Sequence, residues 1–252
     1  MENWLISERC LSDGKRALPG AARFLKQKKA EGALICVLSD RSMRTNQQMA
    51  DAFQKQKLPI EEADLYTTVM AAIDEIARTD GSRRLASMIG SRGMRDLLER
   101  AGFSLDHDPC DWVFLGSDHH AAYSDYCYAA KLLKQGARLI LTEEQFQESS
   151  RDGSLLIGPA SVCAMLEAAS GTRALHVDFP SPMLLYHAMR YLNAASENTI
   201  FAAADARREI PAAEAAGIRS VLVTAASDEN TDLFDLSSKP TYVVDTLEGL
   251  LR

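Results

Sequence analysis

Several groups of side chains in this chain have the types needed for chemistry. Asp118-His119-His120, with Asp125 and Cys127 close behind, offers the donors of a transition-metal site. Adjacent histidines diverge on either a helix or a strand, so the segment reads as a surface loop. Gly90-Ser91-Arg92-Gly93 follows an apolar run and could cradle an anion at a helix start. It is incomplete for a dinucleotide site, and turn glycines account for it. Ser227-Asp228-Glu229-Asn230-Thr231-Asp232 is acidic but lacks EF-hand spacing, and reads as a loop. His176 and His187 stand singly, with no evident acid partner in the sequence. Arg9, Arg41, Arg207 and Arg208 could clamp a phosphate through their guanidinium forks, although such arginines are more often solvated.

These groups sit in an ordinary globular composition, 46% hydrophobic and 25% charged over 252 residues. The net charge of -7 argues against nucleic acid or an anionic membrane as partner. The first residues are too short and acidic a stretch for a signal peptide, and no apolar run is long enough to span a bilayer. The five cysteines are odd in number and lack C-x-x-C spacing. Cys36 and Cys163 read as buried thiols of a reducing compartment, so a cytoplasmic location is expected.

Short apolar runs alternate with helical patterns, the sign of an α/β fold with a mostly parallel sheet. Trp4–Ile6, Ala33–Leu38, Thr199–Ala204, Ser220–Val223 and Thr241–Val244 read as strands. Pro19-Gly20 opens a helix through Leu25, Thr45–Lys55 is the next, and Ile210–Ala216 is a short one. A terminal helix is expected around Leu247, Leu250 and Leu251. The middle repeats the rhythm: Arg84–Ile89, Trp112–Gly116 and Ala137–Leu141 as strands, Tyr126–Lys134 as a helix. Residues 75–172 are therefore read as a second α/β domain inserted between residues 1–74 and 173–252.

Five segments, in order, carry a resemblance. They are Leu18-Pro19-Gly20-Ala21-Ala22-Arg23-Phe24-Leu25, the strand ending Val37-Leu38-Ser39, Gly136-Ala137-Arg138-Leu139-Ile140-Leu141-Thr142, Pro180-Ser181-Pro182, and Asp205 followed by Ala215-Ala216-Gly217. Together they resemble the NagD-type (class IIA) branch of the haloacid dehalogenase (HAD) superfamily, mainly Mg²⁺-dependent phosphatases of small phosphate esters. The resemblance implies a Rossmann-like core with an inserted α/β cap, a small phosphorylated ligand, and self-association through the cap.

It also implies a set of site residues. An aspartate ending the first strand attacks phosphorus, and a second, two residues on, serves as acid and base. A Ser or Thr and a Lys hold the phosphoryl oxygens, and acids after a later strand bind Mg²⁺. Counting back from Pro19 places the nucleophile at Ile6, the acid/base at Glu8 and the usual glycine at Arg9. A shift of one residue offers Ser7, and of two, Glu8. Asp13-Gly14 lies too close to Pro19 and follows no strand. Ser39 matches the oxyanion position; Asp40 and Arg41 follow where small neutral residues are usual, and Arg41 is a possible phosphate contact with Ser39. The lysine position falls on Phe179, beside Asp178. Asp205 matches a metal-binding acid, and Glu209 the second if one residue is deleted between them.

With Ile6 and Phe179 in place of nucleophile and lysine, the expectation is a pseudoenzyme kept for binding a ligand or partner. The alternative is an active phosphatase using Glu8 or Ser7, with Mg²⁺ on Asp205 and Glu209. A third possibility is a structural subunit that assembles through its cap.

Overall fold

The structure is a computed structural model that describes residues 2–150, 152–227 and 237–251. Along the chain, β1 (Asn3–Ser7), α1 (Ala21–Ala30), β2 (Ile35–Ser39), α2 (Asn46–Lys55) and β3 (Leu65–Thr67) come first. Next are α3 (Thr68–Asp80), β4 (Ala86–Ile89), α4 (Arg92–Arg100), β5 (Trp112–Leu115), α5 (Tyr123–Lys134) and β6 (Arg138–Leu141). The hairpin β7 (Gln147–Ser149) and β8 (Leu155–Ile157), α6 (Pro159–Ser170) and β9 (Leu175–His176) follow. The chain then runs through α7 (Met183–Tyr191), β10 (Thr199–Ala203), α8 (Glu209–Ala215), β11 (Arg219–Val223) and β12 (Tyr242–Val244).

Two compact units result. The core unit takes in residues 1–39, 46–66 and 179–252; the cap unit takes in 40–45 and 67–178. The core sheet has the order β12-β11-β10-β1-β2-β3, and β1 runs parallel to both β10 and β2. Its central strands are buried along their length, which explains their continuous apolar sequences. The cap sheet has the order β4-β5-β6-β9, all parallel. Val113, Leu115, Leu139 and Leu141 pack there against Leu132 and Leu133 of α5 and Cys163 and Leu166 of α6.

Several elements differ from the sequence reading. α5 starts at Tyr123, because the Asp125 carboxylate accepts the Ala122 amide at 2.7 Å and fixes the first turn earlier. The terminal helix is a 3-10 turn, Leu247–Leu250. α3, whose start is capped by the Thr67 hydroxyl, runs through residue 75, and the cap unit reaches from 67 to 178. Residues 228–232 of the acidic loop lie outside the described residues.

Pro19-Gly20 has a specific task. Gly20 caps α1 with φ +78, and a Cβ there would lie 2.6 Å from Glu248 Cβ and 2.8 Å from its amide nitrogen. Gly217 shares the left-handed backbone, with φ +68, but has open space around it. Gly217→Ala is therefore expected to cost about 1–2 kcal/mol of unfolding free energy from backbone strain alone. Gly20→Ala should cost measurably more, about 2–4 kcal/mol, because overlap adds to strain. Equal losses in urea denaturation would contradict this packing account.

Candidate active site

The functional candidates in the core unit gather where β1 and β10 end. Side chains alternate along β1, so Trp4 and Ile6 share one face and pack into the apolar core, both buried. Ser7, one position on, is the last residue of β1 and is buried as well. Glu8 opens a 3-10 turn, Glu8–Cys10, and its carbonyl accepts the Leu11 and Ser12 amides at 3.0 and 3.2 Å. Arg9 then falls two residues after Ser7.

Ser7 donates its hydroxyl to Glu209 Oε1 at 2.8 Å, across 202 residues of sequence. Glu209 Oε2 accepts the amides of Ala204 at 2.6 Å and Asp205 at 3.0 Å. Glu209 is buried, and burial pushes its carboxyl up to about 7 against the pull of those amides and Ser7, with the Asp205 charge raising it further. Burial and the Glu209 charge also push the neighbouring Cys10 thiol up. Asp205 Oδ1 accepts the amides of Arg207 and Arg208 at 2.9 and 3.0 Å, while Oδ2 faces Arg9 Nη1 at 3.9 Å.

Phe179, which the resemblance sets at the lysine position, is buried and stacked on Phe201 with centroids 5.6 Å apart. Arg208 donates Nε and Nη2 to the Phe179 carbonyl at 3.2 and 2.9 Å, so its guanidinium is engaged by backbone. Ser39 ends β2 and is buried. Arg41 is exposed and belongs with the cap unit. So does Asp40, whose carboxylate accepts Gln145 Nε2 at 2.7 Å, and Asp178, which accepts the Glu144 amide at 3.0 Å.

Mg²⁺ demands several anionic oxygens in near-octahedral array. Here Ser7 offers a hydroxyl already donated, and Glu209 has both oxygens engaged. The free edge of Asp205 faces a guanidinium. The donor set at this site does not fit the ion.

The cap unit holds a second buried carboxylate. Glu143 Oε1 accepts the Ser42 hydroxyl at 2.6 Å and Oε2 the Ser117 hydroxyl at 2.7 Å; burial pushes its carboxyl up to about 7. Ser117 also bonds Glu148, which pairs with His119 Nε2 at 2.5 Å. Ser117, His119 and Glu148 line a shallow open cleft walled by Ile89, Leu115, Tyr126 and Ile157. Of the supposed metal cluster, Asp118 Oδ1 caps the His120 amide at 2.9 Å and Asp125 caps α5, so neither joins His119. His176, read as partnerless, has Glu144 Oε1 2.5 Å from Nδ1.

The comparisons with known proteins fit this architecture. Residues 10–104 match the family described as haloacid dehalogenase-like hydrolase, and residues 179–250 match a HAD-hydrolase-like family. The chain belongs to the NagD-type HAD hydrolases. It is 26% identical over 237 residues to the 5'-nucleotidase YutF of Bacillus subtilis, covering 93% of this chain and 91% of the relative. It is 26% identical over 227 residues to the ribonucleotide monophosphatase NagD of Escherichia coli K12, covering 90% and 88%. The solved structure of NagD from that strain superposes with a TM-score of 0.90 at 24% identity, covering 98% of this chain and 97% of that one. Phosphatases of this family are typically Mg²⁺-dependent and take small phosphorylated substrates. Among the described residues, no helix is long and apolar enough to cross a membrane.

The two buried glutamates make stability pH-dependent. Each has a folded pKa near 7 against 4.5 for an ordinary glutamate, so the folded state holds its proton more tightly than the unfolded chain. Their contribution is complete below pH 4.5 and is lost as pH rises towards 7. Glu209→Gln should remove about 2–3 kcal/mol of that decline. Urea denaturation of wild type and variant at pH 5 and pH 8 tests this. An identical decline in both proteins would contradict a carboxyl that is neutral when folded.

Proposed function

We propose that this chain is a non-hydrolysing member of its phosphatase family, retaining the scaffold to bind a small phosphorylated compound. The observation that carries this reading is the Ser7–Glu209 hydrogen bond at the exit of β1. An acyl phosphate needs a carboxylate there, and a serine hydroxyl cannot form one. The Arg9–Asp205 pair supports the same reading, since it sets a cation and an anion where acid/base and metal-binding carboxylates would be required. Arg9, about a third exposed, is the group best suited to meet a phosphate. Names of relatives such as 5'-nucleotidase and ribonucleotide monophosphatase make nucleoside monophosphates the first ligands to try.

A second reading has one specific observation in its favour. Ser7 donates to a carboxyl pushed up to about 7, a hydroxyl beside a proton acceptor, and a serine nucleophile could use that pair. It would make the chain an active phosphatase by a route that does not need Glu8.

Turnover of p-nitrophenyl phosphate and of nucleoside 5'-monophosphates, with Mg²⁺ and with chelator, separates the readings. The expected result is turnover at least about 10³-fold below an active relative and indifferent to chelation, because parts that act as a unit have been lost together. Calorimetry should show nucleoside monophosphate binding that Arg9→Ala weakens by about tenfold or more. Magnesium-dependent turnover abolished by chelation would overturn the proposal. Chelator-resistant turnover abolished by Ser7→Ala would establish the second reading instead.

A further inference from the structure

Cys163 and Glu167 lie four residues apart on α6 and therefore share one face of that helix. His176, in the adjoining strand β9, completes a set whose donor atoms all lie within 4.8 Å of one another. A thiol, an imidazole and a carboxylate are the donor types of a borderline-soft divalent ion, unlike the oxygen-only demand of Mg²⁺. We propose that this cluster of the cap unit is a binding site for a zinc-class divalent cation, bridging α6 and β9.

A second carboxylate supports the assignment. Glu144 Oε1 sits 2.5 Å from His176 Nδ1, the placing by which a carboxylate fixes an imidazole's tautomer and raises its basicity as a ligand. Glu144 is itself held, since its amide donates to the buried Asp178 carboxylate at 3.0 Å. Electrostatics point the same way. Cys163 is 2% exposed, with the Glu167 carboxylate in its cluster and Glu144 joined to it through His176. Two carboxylates against a buried thiol form an anionic pocket that a cation would relieve.

The rival role for Glu167 is structural, and part of it stands regardless. Its Oε1 accepts the Ala174 amide at 2.8 Å, a bond compatible with ligation through Oε2. Oε2 faces Arg173 Nη1 at 3.2 Å, but that side chain is 91% exposed and such a surface pair is weak and easily displaced. An ion would replace Arg173 there, draw the three donors inward, and leave a position open for water or a ligand. The site is independent of the core-unit chemistry, so its fate and that of the proposed function are separable.

Cobalt is the reporting probe. The full chain titrated with Co²⁺ should bind one ion, with a thiolate-to-cobalt charge-transfer band in the near ultraviolet and visible bands of a four-coordinate centre. Zn²⁺ should displace it. Cys163→Ser should abolish the charge-transfer band. His176→Gln, at a half-exposed side chain, should weaken Zn²⁺ binding at least about tenfold, and Glu144→Gln by about 10- to 100-fold. His119→Ala, at the other histidine–carboxylate pair, should leave affinity unchanged. Absence of the band in folded wild type, or a band and affinity that survive both Cys163→Ser and His176→Gln, would overturn the proposal.

Discussion

The core unit's site depends on a single buried acceptor. Glu209 stands at the start of α8 and receives three donors, the Ser7 hydroxyl and the amides of Ala204 and Asp205. Through them it ties the exit of β1 to the loop after β10, the two central neighbours of the sheet. A buried carboxyl is tolerable only when it is so satisfied or protonated, and here both devices operate. With Glu209 fixed, Asp205 is turned so that Oδ1 caps the following amides and Oδ2 meets Arg9. The charge pattern at the strand ends follows from that one anchor.

The anchor lies at the carboxyl ends of the parallel strands, the end at which open α/β sheets take their ligands. Phosphoryl transfer through an acyl intermediate needs a carboxylate nucleophile, a fixed cation and metal-binding acids acting together. In the proposed non-hydrolysing reading, Ser7, Phe179 and an ion-paired Asp205 stand in those roles. Phe179 stacks on Phe201, so an apolar ring is packed into the core at this position. Fold and chemistry are separable in this family, because sheet order and helix packing depend on apolar runs that none of these positions interrupts.

Much of the scaffold was legible in the sequence because physics left strong local marks. The runs at Ile35–Leu38 and Ile200–Ala203 are buried on both sides and so are continuously apolar, and the Pro19-Gly20 start of α1 reflects a real close approach to Glu248. The β7–β8 hairpin left no such mark, since Leu155 and Ile157 are exposed and no alternating pattern announces them. Site residues were legible as types but not as partners. Glu209 and Asp205 were recognisable as neighbouring acids, yet nothing local reveals that Ser7, 202 residues away, completes the anchor. Ile6, placed at the strand end by loop length, packs in the core with Trp4, and Ser7 follows it as the last residue of β1. His176 was passed over for the same reason: Glu144 is 32 residues distant, and only the pairing of β6 with β9 brings them together.

The most direct measurement is the intact mass of the protein quenched in acid after incubation with a phosphate ester and Mg²⁺. The account predicts an unmodified chain at every time point. A gain of one phosphoryl group that hydroxylamine removes, mapped to Glu8 or any other acid of the core unit, would contradict it.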